Sequence, residues 1–574
     1  MAMAQHFSAL QTCCHAEAGK EELEANLAGK CCKSSSDSAC EAVFSNESHQ
    51  YAAKPPDFAK SEEYYIHPSF EDHDTMSGHD EACSHPSHHR STSDLPAERI
   101  SSKLTDLTGI DITDSSLMRG ISLRKTLRQG GSLWLCDPSA LTKPQRLKLY
   151  TASRQTSRYD KFLSHTWHTS GGWKLLALMM HTGWHAFLIS WVLGVAVAFA
   201  LVLLDVLPQT TVWEAHAVGF DGTIPYGFWV STVSVPTAIG GLLLYPYLPH
   251  RSSDMCFLDY VCVDQTDTAR MQQGIRSIGA FLASSKELRV LWSAPYLKRL
   301  WCVFELAAFR KLNPQGQIII SPLLSEATVY LMFLWVQLAS AAFLAVRTGP
   351  NGGDPLRFLM LLVGSFLLLF PTLFHAGRTK HRADKLLQAQ LSSFDVTKVE
   401  CSSEFDKQSI HEAIISWYGS LDAFSNHIRG PFRLEVTELL RTQGSLSPQY
   451  IYIATLPIFC LSLEGLLALS KAGAPWQSIL GFFLAHVLGL DVLWLPAVAN
   501  FGAYMTKRGL RVCGRRMMPY SLEFTIVFVL SSILFVAGGF CTVIVSAQSL
   551  TTVLVWVLVA LVFAFGCWKF CWRV

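Results

Sequence analysis

Charged residues are scarce in this chain. Asp, Glu, Lys and Arg make up 16% of its 574 residues, against about 25% in an ordinary soluble domain. Neither sign dominates: the formal net charge is +2. So weak a global field draws in no polyanion, so no nucleic-acid partner is expected. Paired cysteines are lacking too. The 16 cysteines are scattered, and none shows the spacing of a zinc ribbon, which reads as reduced thiols. The first residues carry no charged-then-apolar run, so no signal peptide is expected. Ala2 takes the place of the glycine that N-myristoylation needs.

What fills the gap is hydrophobic: 50% of the chain. A spanning helix needs about 20 apolar residues to cross roughly 30 Å of hydrocarbon. Eight segments qualify, at about 184–207, 226–248, 327–346, 358–376, 449–470, 476–500, 522–545 and 548–568. The last two are nearly contiguous and must form a tight hairpin. With the N-terminus inside, the inner loops 249–326, 377–448 and 501–521 contain nine, nine and five Lys plus Arg. The outer loops 208–225, 347–357, 471–475 and 546–547 contain none, two, one and none. Positive charge collects on the cytosolic side of membranes, so both termini are expected in the cytosol. Asn46-Glu47-Ser48 is a glycosylation sequon by pattern, but on that topology it lies on the wrong side.

Residues 1–130 are polar, with few aromatics and six histidines from His67 to His89. Such a composition cannot offset the entropy of ordering, so a mostly disordered cytosolic tail is expected. Cys83, His85, His88 and His89 are metal-ligand types, but a solvated polar tail accounts for them. The stretch from Leu141 to Tyr150 is amphipathic, suited to the membrane face or to the domain that follows.

The informative soluble segment is 254–324. Met255 to Asp259, Leu288 to Trp292 and Gln317 to Ser321 read as strands. Ala269 to Leu282 and Leu300 to Leu312 read as helices between them. Alternation of this kind predicts a parallel α/β sheet. A fourth strand, Tyr159 to Ser164, precedes the first spanning segment. Its Tyr-Asp-x-Phe-Leu-Ser run resembles the first strand of Toll/interleukin-1 receptor (TIR) domains, and Phe257-Leu258-Asp259 resembles their second. Ser293-x-x-Tyr296-x-x-x-x-Trp301-Cys302-x-x-Glu305-Leu306 resembles the most specific signature of that family. Ser164-His165-x-Trp167 and Arg299 to Cys302 also look like TIR-like sequences of multi-pass proteins in protists. The resemblance covers about 100 residues in two pieces, 159–183 and 254–324, parted by a transmembrane hairpin at 184–248. Such an insertion is feasible because a hairpin leaves and returns on one side.

The resemblance implies a flavodoxin-like parallel sheet and one of two roles. Many TIR domains are assembly modules, with self-association or other TIR-like modules as partners. Many others cleave the nicotinamide–ribose bond of NAD, and a glutamate in this signature is then the catalytic carboxylate. That role falls on Glu305, with Ser164, His165 and Trp301 as the implied residues of an NAD pocket. An anion beside the sugar stabilises an oxocarbenium-like transition state. Glu305 could equally pair with Arg299 or Lys311, or serve the helix start.

Ionisable groups inside a bilayer cost about 2.5–3.5 kcal/mol each on insertion scales and stand as functional candidates. Glu464, His486 and Asp491 are such groups. At about 1.5 Å rise per residue, Glu464 and Asp491 fall on opposite sides of the midplane, so they are not expected to touch. Glu464 and His486 differ in depth by roughly 7 Å on the same rise. Either these groups hydrogen-bond within a packed bundle or they line a proton or ion path.

The expected fold is thus a multi-pass α-helical membrane protein of about eight helices, with a cytosolic TIR-like α/β module split by the first hairpin. Residues 327–376 form a second hairpin, 377–448 a cytosolic helical segment and 449–574 four further spans. The expected function is signalling or scaffolding, with NAD as the substrate if the module is an enzyme. The other class is a channel or transporter gated by the soluble part.

Overall fold

A parallel strand covered on both faces reads as a nearly continuous apolar run. Two such runs form the middle of the sheet in the computed structural model. The structure describes residues 114–249, 254–293, 295–348, 382–401, 404–443, 448–508, 511–512, 516–517 and 520–572, with Gly364, Phe374 and Arg378. The expected tail lies largely outside these residues, as does most of the expected span 358–376.

Eight strands matter for the argument. They are β1 (Arg119–Ser122), β2 (Arg154–Gln155), β3 (Tyr159–His165), β4 (Thr211–Ala217), β5 (Phe220–Tyr226), β6 (Met255–Phe257), β7 (Ser285–Trp292) and β8 (Gln317–Pro322). Six of them make one mixed sheet in the order β2-β1-β6-β3-β7-β8. β1 runs antiparallel to both β2 and β6, while β6, β3, β7 and β8 are parallel. Phe162 of β3 stacks on Phe257 of β6, with ring centroids 4.6 Å apart. Tyr159 meets Phe257 and Phe281 edge-on. All four rings are buried, and together they hold the centre of the sheet.

The parallel strands appear in the chain as β3, β6, β7, β8 but lie in space as β6, β3, β7, β8. This 2-1-3-4 order reverses direction between β3 and β7, and open α/β sheets of this type bind ligands at the carboxyl ends of the strands beside that reversal. Strands 159–165 and 255–257 are therefore neighbours, with Phe162 in register with Phe257, although a long helical insertion separates them in the chain.

Six helices named below position the site. They are α1 (Leu123–Leu127), α2 (Gly171–Leu203), α3 (Trp229–Leu244), α4 (Asp259–Cys262), α5 (Leu300–Leu312) and α6 (Glu404–Tyr418). α2 has 33 residues, roughly 50 Å at 1.5 Å per residue. No proline interrupts it, so its module part and its apolar part are one rod. Near its start, Lys174, Leu175, Leu178 and Met180 are buried; farther along, Ile189, Val192, Leu193 and Val197 are exposed. A surface that apolar is what a lipid-facing helix presents. α3 is packed closely enough on α2 that a Cβ on Gly194 would come within 2.6 Å of the Ser234 Cα.

Among the described residues, six helices are long and apolar enough to cross a membrane: Gly171–Leu203, Glu326–Val346, Pro448–Lys471, Trp476–Thr506, Ser521–Ser546 and Leu550–Lys569. This is a mostly helical membrane protein carrying a mixed sheet. The expected second span is the shorter α3, of 16 residues, followed by a 3-10 turn at Tyr245–Tyr247. The expected outer loop 208–225 is an ordered β4–β5 hairpin, turned at Gly219 with φ 72°, a backbone conformation in which glycine meets no steric penalty.

The amphipathic stretch ending at Tyr150 packs on the sheet rather than standing alone. The Arg119 guanidinium lies 4.5 Å over the Tyr150 ring and donates to the Ser153 carbonyl at 2.7 Å. Residues from the expected helical segment 377–448 cover α5. Trp417 stacks on Phe304, and the Tyr418 hydroxyl donates to the Ala307 carbonyl.

Candidate functional site

β3 ends in Ser164 and His165, and β7 ends in Trp292, so the loops after both strands converge where the strand order reverses. A hydrogen bond of 2.6 Å between the Thr169 and Ser293 hydroxyls ties the two loops together. α5 begins just beyond Ser293 and carries Glu305 on the face toward β3. The Ser164 hydroxyl donates to Glu305 Oε2, and the Tyr296 hydroxyl shares a hydrogen bond with the same serine. Tyr296 also donates to the Cys302 carbonyl at 3.3 Å. Ser164, Tyr296 and Glu305 thus form one connected cluster.

Glu305 is half-buried, whereas Ser164 and Tyr296 are fully buried. Burial pushes the Glu305 carboxyl up to about 8, opposed by the hydrogen bond from Ser164. Removal from water disfavours the charged form, while a donor to that form favours it. The carboxyl is thereby poised to change charge slightly above neutrality.

His165 lies next to this cluster but does not join it. Its side chain is 2% exposed, and neither ring nitrogen has a hydrogen-bond partner among the described residues. Trp134 and Trp167 meet the imidazole edge-on at 5.6 and 4.5 Å. The same burial holds its pKa well below the usual range, so the ring is neutral at pH 7. Asp259, at the start of α4, brings a carboxyl oxygen to 3.9 Å from His165 Nε2 and accepts from Trp167 Nε1 at 3.2 Å. Lys174 places its ammonium 5.0 Å over the Trp167 ring. Trp167 is 42% exposed and stands at the mouth of the site.

Of the residues expected at an NAD pocket, Ser164 and Glu305 meet directly and His165 lies beside them. Trp301 turns to another element: its Nε1 donates to Asp406 of α6 at 3.3 Å, and its ring meets Phe304 edge-on. Trp167, Lys174, Asp259 and Tyr296 were not singled out as site residues from sequence. Trp167, Asp259 and Tyr296 stand inside the quoted motifs. Lys174 had its own signal: it is the one charged residue in the apolar start of α2.

The ionisable groups of the membrane helices make different contacts. Glu464 Oε2 accepts from the Val230 backbone N–H at 2.7 Å, at the start of α3, where the first N–H groups of a helix lack partners. That contact is packing within the bundle. His486 stacks on Phe482 at 4.0 Å. Asp491 lies in a π-helical stretch, Phe483–Trp494, and is fully buried. The Ser462 hydroxyl faces it, but not in good hydrogen-bond geometry, and neither carboxyl oxygen has a partner among the described residues.

No protein-family model, curated protein or solved structure matches the chain. Its class, a multi-helix membrane protein with an α/β sheet split by a helical hairpin, therefore rests on sequence and structure alone.

Proposed function

We propose that this protein is a membrane-anchored signalling protein whose α/β module is TIR-like and takes NAD where the strand order reverses. The observation that carries the reading is the cluster of Ser164, Tyr296 and Glu305 at the carboxyl end of β3. It joins the two pieces of the motif across the membrane hairpin. The 2-1-3-4 strand order adds support, because it puts the cluster where open α/β sheets take nucleotides.

In the proposed reaction the bond between ribose C1′ and the nicotinamide nitrogen breaks, and the bonding pair leaves with neutral nicotinamide. The Glu305 carboxylate faces the positive charge that develops on the ribose. Water adds at C1′ and releases one proton, giving ADP-ribose. Ser164 holds the carboxylate in place. The exposed face of Trp167 offers a stacking surface for a flat ring. Assembly of modules into oligomers is the signalling step on this reading, with the membrane helices restricting them to a plane.

The test is to incubate the full-length protein in nanodiscs with NAD and to measure nicotinamide by chromatography. Release that is lost in Glu305→Gln is the expected result. No release, or equal release by the variant, refutes the reading. A proton or ion path is the second reading, and one observation favours it: the buried Asp491 on a π-helical stretch, a geometry that often marks functional sites. Proton flux in liposomes that Asp491→Asn abolishes would favour that reading.

A further inference from the structure

A basic cavity stands apart from the Glu305 cluster. It has a volume of about 370 Å³ and lies between α1, β1, the start of β2 and the chain leaving α3. Arg124, Lys125, Arg128 and Arg154 line it, together with Tyr247 and Asp254. Four cations against one carboxylate leave three positive charges. Asp254 is held locally: it accepts from the Ser122 hydroxyl at 2.7 Å and from the Arg124 backbone N–H at 3.1 Å.

The four cations are held by neutral groups. Arg124 donates to the Leu248 carbonyl, Arg128 to the Pro246 carbonyl and Lys125 to the Ala152 carbonyl, at 3.0, 2.9 and 2.7 Å. Arg154 contacts the Met255 sulfur. None of the four has an ion pair among the described residues, and Arg124 Nε is buried without a hydrogen-bond partner there. Carbonyl contacts orient these groups without giving any of them an ion pair among the described residues.

The position of the cavity says what would compensate it. It opens where α3 ends and the chain turns into Tyr245–Tyr247. Leu243, Leu244, Tyr247 and Leu248 are each about half exposed or more there, an apolar surface continuous with the cavity wall. Arg124 and Arg128 lie over the rings of Tyr245 and Tyr247 at 4.2 and 5.4 Å. Tyrosines beside basic residues at a helix end are the usual anchors of a membrane interface. A ligand bound here meets cations at one end and exposed leucines at the other.

We propose that this cavity binds the phosphorylated, polyanionic headgroup of a membrane lipid from the leaflet on the module side, with the acyl chains along α3. Because β1 is a strand of the sheet and α1 follows it directly, such a lipid fixes the module against the bilayer. Anionic lipids gather in the cytosolic leaflet, and basic pockets at helix ends take their headgroups. The site does not depend on the NAD reading, since it shares no residue with the Glu305 cluster.

The experiment reconstitutes the full chain in phosphatidylcholine nanodiscs containing a minor fraction of phosphatidylinositol bisphosphate. Lipid retained per protein is counted by native mass spectrometry after transfer to detergent. Retention by the wild type, and roughly thirty-fold weaker retention by Lys125→Ala/Arg154→Ala, is expected from two lost charges. Both side chains are exposed, so the double variant should fold, and an unchanged thermal midpoint without the lipid checks that. Equal retention by the variant overturns the proposal. So does phosphatidylserine retained as tightly as the bisphosphate. Soluble inositol trisphosphate binding as tightly as the lipid would also overturn it, because the ligand would then be a free phosphate ester.

Discussion

Removing the Ser164 hydroxyl should make Glu305 harder to ionise. The carboxyl titrates at about 8 because burial raises it and the Ser164 hydrogen bond opposes part of that rise. At pH 7 about one molecule in ten is ionised on that value. A hydrogen bond to a charged acceptor is worth about 1.5–3 kcal/mol, and one pH unit corresponds to about 1.36 kcal/mol. Ser164→Ala therefore raises the midpoint by about one to two pH units. The ionised fraction at pH 7 drops by about ten- to a hundred-fold on the same figures. Infrared titration of the protonated carboxyl band, assigned by its loss in Glu305→Gln, reads this without reference to any activity. The sign for stability follows from the raised pKa. Between the unfolded value near 4.5 and the folded value of about 8, the native state holds the proton more tightly. The stability this group contributes is full below about 4.5 and is lost as pH rises through about 8. Thermal midpoints of the wild type should fall across that window relative to Glu305→Gln. A midpoint in Ser164→Ala that stays put or falls would refute the argument, since burial alone would then set the pKa.

Three further outcomes follow from the packing. Phe162→Ala removes a ring that is 1% exposed and stacked on Phe257; it should cost about 3–5 kcal/mol and expose the module to limited proteolysis while the helices stay protected. Gly194→Leu drives a side chain into α3 at Ser234; overpacking of about 1–3 kcal/mol should splay α2 from α3 and, because that hairpin separates β3 from β6 in the chain, lower the thermal midpoint of the module as well. Asp221→Cys in the exposed β4–β5 hairpin should react with an impermeant thiol reagent only from the face opposite the module, and labelling from the module side would reverse the topology read from loop charges.

The strands of the module were legible because each is a short apolar run between turn residues; β3, β6, β7 and β8 stop within two residues of where such runs end, although β7 begins three residues before Leu288. β1 and β2 were not, since four and two residues carry no usable period. The β4–β5 hairpin had a readable signal in the alternation of Thr211–Ala217 before Gly219, but next to long apolar segments it reads as a connecting loop. α2 starts at Gly171, earlier than the expected span at 184, and only packing makes Lys174 a core residue at 1% exposure.

The sequence by itself determined that the chain carries long apolar helices and short apolar strands, and roughly where most of them fall. Those are properties of composition and period, which act over a few turns of chain. Tertiary structure alone decided what the motif residues touch. Ser164 and Glu305 lie 141 positions apart, and they meet because a parallel sheet brings β3 between β6 and β7 after the α2–α3 helical hairpin has come and gone. It also sent Trp301 to Asp406 rather than to the site, and it turned four basic residues and the end of a helix into one cavity. A side chain's type follows from its codon, but its neighbours follow from the order of strands, which no local pattern encodes.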